Sequence, residues 1–179
     1  MRKLPICLLA LSACAFAQEN PLSASIKGEY DLAKGVLTRS ADKVSEADYA
    51  FKPTKEVRSF GQILGHVADA QYAFCSAVIG EKSPSTGSVE KTKTTKADLV
   101  AALKDAFAYC DKVYEGMTDA SAAQSIKFFG RETTKLGILA FNNMHDMEHY
   151  GNLVTYMRLK NIVPPSSEPR PQPSAQEKK

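Results

Sequence analysis

Between Thr95 and Met117 the apolar residues Leu99, Leu103, Ala106, Phe107, Cys110, Val113, Tyr114 and Met117 recur at steps of three and four. At 3.6 residues per turn they share one face of an α-helix, and such a face has to be buried against another element. Thr95, followed at three residues by Asp98, supplies a start signal. Three more segments carry the same period. Leu22, Ile26, Tyr30, Ala33, Leu37, Ala41 and Val44 form one stripe, which ends before the stretch from Ser45 to Pro53. Another helix opens at Ser59, whose S-x-x-Q spacing to Gln62 is a capping box. It carries Phe60, Ile63, Val67, Phe74 and Val78, and Gly80 stops it. The last runs from about Thr133 to Lys160 and has two sides that want burial. Leu136, Leu139, Ala140, Met147 and Val154 make one side; Ile138, Phe141, His145, His149 and Tyr156 make the other. Asn161 suits a left-handed cap, and Pro164-Pro165 forbid continuation. No strand alternation, glycine-rich phosphate loop or internal repeat is found. The pattern predicts an all-α fold, an antiparallel four-helix bundle.

The connections are polar. Glu81 to Thr95 holds almost nothing apolar and is expected to be a mobile surface loop in which Lys82, Lys91 and Lys93 are simply solvated. Ser166 to Lys179 is proline-rich and without aromatic residues, which predicts a disordered tail over 166–179. At the other end Arg2 and Lys3 precede an apolar stretch from Leu4, and Ala15-Phe16-Ala17 is an A-x-A cleavage site, so residues 1–17 are expected to be a signal peptide. The chain is then exported, periplasmic or extracellular. The competing reading takes Leu11-Ser12-Ala13-Cys14 as a lipobox, with the chain anchored to a membrane through Cys14.

The formal charge of +3 falls to +1 without Arg2 and Lys3, at 21 Lys and Arg against 20 Asp and Glu. That leaves no electrostatic case for nucleic acid. Export also changes how the cysteines read. Cys75 and Cys110 each lie on an apolar stripe, and an oxidising compartment predicts a disulfide between them; two buried thiols packing as small hydrophobes is the alternative.

The chain has only three histidines. His145 and His149 stand one turn apart on one face of the last helix, and His66 shares the side of Ile63, Val67 and Ala70 on the second. Three neutral nitrogens converging from two helices make an open site for a divalent metal, with a position left for water or substrate. Taken singly, a core histidine and a solvated i, i+4 pair are the plainer readings. Nearby, Asp69 and Glu148 are candidates for a general base or for orienting an imidazole. Asn142, Phe141 and Tyr156 are candidate pocket residues.

The stretches Phe60-Gly61-Gln62-Ile63-Leu64-Gly65-His66-Val67-Ala68-Asp69-Ala70, His145-Asp146-Met147-Glu148-His149-Tyr150-Gly151-Asn152 and Met157-Arg158-Leu159-Lys160-Asn161-Ile162-Val163-Pro164-Pro165 resemble the DinB-like (YfiT-like) metalloenzyme family. The resemblance covers the domain expected over 22–165. It implies a four-helix bundle in which His66, His145 and His149 hold a divalent metal, zinc or nickel first, with iron or manganese also open. Asn152 and Asn161 depart from the residues members often have, Gln and Gly. The implied activity is that of a metal-dependent hydrolase or of a transferase using a low-molecular-weight thiol, acting on a small-molecule substrate of unknown identity. A metal-containing binding protein without turnover is the alternative, and a homodimer is left open.

Overall fold

The computed structural model describes residues 20–169. The expected leader, the lipid site at Cys14 and most of the expected tail lie outside the described residues. The elements are α1 (Pro21–Lys43), α2 (Phe60–Ile79), α3 (Val89–Thr92), α4 (Lys96–Glu115), α5 (Asp119–Ala122), β1 (Ser125–Phe128), β2 (Arg131–Thr134) and α6 (Lys135–Leu159).

The start and stop signals act as local chemistry requires. Ser59 accepts from the Gln62 backbone while the Gln62 side chain returns to the Ser59 backbone, and Gly80 takes the left-handed conformation at φ 73°. Thr95 accepts from the Asp98 backbone at the start of α4. Asn161 closes α6 at φ 59°, with Ile162 N donating back to Met157 O at 2.8 Å.

The four long helices form an all-α bundle in which α1 packs on α4 and α6, and α2 packs on α4 and α6. The pairing is mixed. Tyr30 meets Asp111 while Asp42 meets Lys104, so α1 and α4 run antiparallel. His66 meets His145 and Gln71 meets Asn142, so α2 and α6 also run antiparallel. Gly61 lies beside Leu99 and Cys75 beside Cys110, so α2 and α4 run parallel. Parallel neighbours need a connection that returns a whole helix length, about 30 Å for 20 residues. The stretch between α2 and α4 is that crossover, which accounts for its length. It is also more ordered than a mobile loop. α3 sits inside it, capped by Ser88, with Val89 buried against α2.

Two other departures from the sequence expectation follow from local chemistry. β1 and β2 form an antiparallel hairpin between α5 and α6. Its turn is Phe129-Gly130, both at positive φ, 48° and 77°. This is the backbone a two-residue hairpin turn needs, built without the usual Asn-Gly signature. The chain is also fastened past Pro165: Pro165–Ser167 is a 3-10 turn. Its Ser166 N donates to Tyr150 Oη at 2.9 Å, and Arg158 donates to Ser167 Oγ at 2.8 Å. Order therefore extends beyond the boundary placed at 165.

The core is apolar around Tyr30, Leu37, Leu64, Leu103, Phe107, Leu139 and Leu153, and Cys75 is joined to Cys110 with their Cα atoms 5.5 Å apart. Within it lies a buried polar cluster between α2, α4 and α6. Gln71 Nε2 donates to both carboxylate oxygens of Asp146 at 2.7 and 2.9 Å. Asn142 Nδ2 donates to Gln71 Oε1 at 3.0 Å, and Tyr114 Oη donates to Asn143 Oδ1 at 2.7 Å. Met147, expected on the core side of α6, is exposed, as is Met144.

Candidate metal centre

α2 and α6 cross antiparallel with His66 facing the turn of α6 that carries His145 and His149. His145 Nε2 lies 3.0 Å from His66 Nε2 and 3.1 Å from His149 Nε2. The candidate ligand atoms of the three all fall within 4.8 Å of one another, and among the described residues this metal-competent group consists of the three imidazoles alone. Two nitrogens each about 2.1 Å from one ion sit roughly 3.0 to 3.4 Å apart for angles of about 90 to 110°. The spacing therefore fits a single divalent ion.

The protonation state fits as well. Burial lowers the pKa of His66, with Arg58 adding to the effect and Glu90 opposing it. Burial, then the charges of His149 and His66, lowers His145 to about 4. Burial and His66 lower His149, against Glu148. Three neutral imidazoles at neutral pH offer lone pairs without proton release, which is what a metal needs of them.

The far edges of the rings differ. His66 Nδ1 faces Glu90 Oε2 at 3.3 Å. His149 Nδ1 is 3.4 Å from the Asn152 carboxamide. His145 Nδ1 is buried without a hydrogen-bond partner among the described residues, its ring packed edge-on to Phe74 at 5.5 Å.

A groove of about 520 Å³ opens beside His149, lined by Glu56, Val57, Arg58, Ile63, Glu90, Glu148, Asn152 and Tyr156. Tyr156 is fixed there by donating to Arg58 O at 2.9 Å, and Glu148 stands exposed at the rim. The other anticipated residues lie elsewhere. Phe141 is 42% exposed and meets Phe74 edge-on. It lines a second groove of about 490 Å³ under the hairpin with Phe128, Phe129 and Ile138, because it points from α6 toward β1 and not toward His149. Asn142 is fully buried in the core cluster. Asp69 touches no imidazole: its carboxylate accepts from Ser88 Oγ, Val89 N and Glu90 N.

Glu90 and Arg58, joined at 2.8 Å, went unrecognised in the sequence because they lie in connections with no periodicity. Gln71 and Asp146 went unrecognised because polar residues carry no hydrophobic signal. Asp146, next to His145, pointed to itself only through the i, i+4 step from Asn142.

A helical bundle with an imidazole cluster between two antiparallel helices defines a metal-competent class of fold. The chain belongs to the DinB superfamily, whose family model matches residues 29–153. It is 26% identical over 129 residues to the uncharacterised protein YjoA of Bacillus subtilis strain 168, covering 70% of this chain and 82% of that protein. The crystal structure of a DinB-like protein from Bacillus cereus ATCC 10987 superposes with a TM-score of 0.69 at 15% identity, over 79% of this chain and 95% of that one. A mycothiol-dependent maleylpyruvate isomerase superposes with a TM-score of 0.61 at 16% identity, over 73% of this chain and 60% of that one. Likeness at that identity is a likeness of fold.

Proposed function

We propose that this DinB protein is an exported metal-dependent hydrolase of a small substrate, with His66, His145 and His149 holding one divalent metal, zinc or nickel first. The observation that carries the reading is the convergence of three neutral ring nitrogens, with no fourth side-chain ligand grouped with them among the described residues, at the end of a groove. When bound, the ion would lower the pKa of a water in its open position and supply a nucleophile near neutral pH. The chain's own residues do the rest. Tyr156, Val57 and Ile63 offer an apolar wall to the substrate, and Asn152 and Glu148 offer polar partners along the helix that carries His149. The Cys75–Cys110 bridge supports an oxidising location and hence water over a thiol that must be kept reduced.

A thiol-dependent transfer is the second reading, favoured by the shared fold with the mycothiol-dependent isomerase. Metal analysis of protein purified from its own compartment, followed by ester, amide and thiol-transfer screens, tests both. Hydrolysis that disappears on chelation and returns with the metal supports the first. Turnover only with an added low-molecular-weight thiol supports the second. Stoichiometric metal with ligand capture and no turnover would make this a binding protein instead.

A further inference from the structure

The crossover from α2 to α4 pauses for a single helical turn, α3, and that turn is fastened to α2 with unusual care. One carboxylate, Asp69, accepts from Ser88 Oγ at 2.7 Å, Val89 N at 2.6 Å and Glu90 N at 3.2 Å. Gly65 lets the two backbones touch: a Cβ there would lie 2.7 Å from Glu90 Cα and 2.9 Å from Glu90 N, closer than atoms pack. Both residues sit on α2 beside His66, and their joint effect is to place Glu90. One Glu90 oxygen accepts from Arg58 Nε at 2.8 Å, and the other faces His66 Nδ1 at 3.3 Å. The Arg58 backbone is itself held by Tyr156.

We propose that Glu90 is the positioning residue of the metal centre: its carboxylate keeps the His66 proton on Nδ1 and so leaves the Nε2 lone pair aimed at His145 and His149. The inference rests on the proposed three-imidazole centre. Which ring nitrogen of a neutral histidine carries the proton is set by the partner of the other one. A carboxylate behind a ligating imidazole fixes the tautomer and orientation and raises the ligand's basicity. His66 is the member of the trio that needs this most. It comes from a different helix than the other two, and among the described residues Glu90 is the one charged acceptor that faces any Nδ1 of the three.

The test uses the full mature chain in two states. Nitrogen-15 NMR of the metal-free protein should show His66 as the Nδ1–H tautomer, with Glu90→Ala shifting the population toward Nε2–H. Zinc ion alone, measured by chelator competition, should bind about 10- to 100-fold more weakly to Glu90→Ala than to wild type. Glu90→Gln keeps an acceptor oxygen without its charge and should recover part of both. Glu90→Asp retracts the carboxylate by one methylene and replaces Glu90→Ala if that variant does not fold; both readouts must again fall. A folded Glu90→Ala or Glu90→Asp protein with unchanged His66 tautomer and zinc affinity overturns the proposal. Wild type that binds no zinc would sink the metal reading, and the metal-free tautomer measurement would still decide the role of Glu90.

Discussion

The Gln71 side chain commits its amide to a carboxylate that has no ion-pair partner among the described residues: Gln71 Nε2 bridges both oxygens of Asp146 at 2.7 and 2.9 Å in a site where both residues are fully buried. Burial pushes the Asp146 pKa well above its ordinary value, and the Gln71 bond only partly offsets this. The folded state therefore holds a proton that the unfolded chain has released above about pH 4. Stability from this group is present in acid and is lost as pH rises. The expected outcome is that Asp146→Asn, which cannot ionise, gains on wild type as pH rises from 4 to 7. Urea melts at several pH values measure it, and a difference in unfolding free energy that does not change with pH would reject the assignment.

Removing the bridge from the other side should be costly. Gln71→Leu leaves the Asp146 carboxyl without its partner and the Asn142 amide with Tyr114 Oη alone, and a buried polar group fully orphaned costs about 1–3 kcal/mol. We expect about 1–4 kcal/mol of destabilisation in denaturant melts. A loss below about 1 kcal/mol would mean that water enters the cluster.

Replacing any one of His66, His145 and His149 by Ala takes away one of the three proposed ligands. Zinc affinity should fall more than about 100-fold, beyond the range typical of outer-shell partners, while far-UV circular dichroism stays near wild type. His145 is the central member, within 3.1 Å of both others, and its loss should be the most severe. Retained stoichiometric zinc in His145→Ala would show that the metal, if any, is held elsewhere.

How much of this was legible in the sequence depended on whether the physics was local. Caps such as Ser59 with Gln62 and Thr95 with Asp98 are written in adjacent turns, and the histidine spacing on α6 is a property of one helix. The buried face of α6 runs Leu139, Asn142, Asn143, Asp146, Tyr150, Leu153 and Met157, with good helical period. Three of its members are Asn, Asn and Asp, so a search for apolar stripes slid round the helix to Met147, which is exposed. The docking of α3 depends on Asp69 meeting residues 88–90, about 20 positions on, and no local pattern encodes that. The hairpin turn at Phe129-Gly130 lacked its usual residues and was invisible for the same reason.

The imidazoles give the metal-free protein an acid weakness of opposite sign to that of Asp146. Their folded pKa values lie below the unfolded value of 6.5, His145 at about 4. The unfolded state thus binds more protons across that window, and stability falls as pH drops from 6.5 toward 4. Saturating zinc should raise the unfolding temperature most at neutral pH, with the gain shrinking as pH falls through the lowered folded pKa values and protons compete for the ligands. Thermal melts with and without zinc check this, and a zinc-induced shift that is independent of pH would argue against imidazole ligands.

The bridge between Cys75 and Cys110 closes the crossover itself, tying parallel helices α2 and α4 across a sequence separation of 35. Chain-entropy reasoning for a loop of that length gives about 3–4 kcal/mol of stabilisation through the unfolded state. Both residues are fully buried, so a reductant should reach the bridge only when the bundle opens. We expect native protein to resist mild reductant, and the reduced form, prepared from the unfolded chain and refolded, to unfold at lower urea by an amount near that figure. The bridge also ties together α2 and α4, the two helices that the crossover carrying Glu90 connects, so the reduced protein should bind zinc more weakly even under conditions where it remains folded. Equal zinc affinity in the reduced and oxidised forms would show that Asp69 and Gly65 hold α3 in place without help from the disulfide.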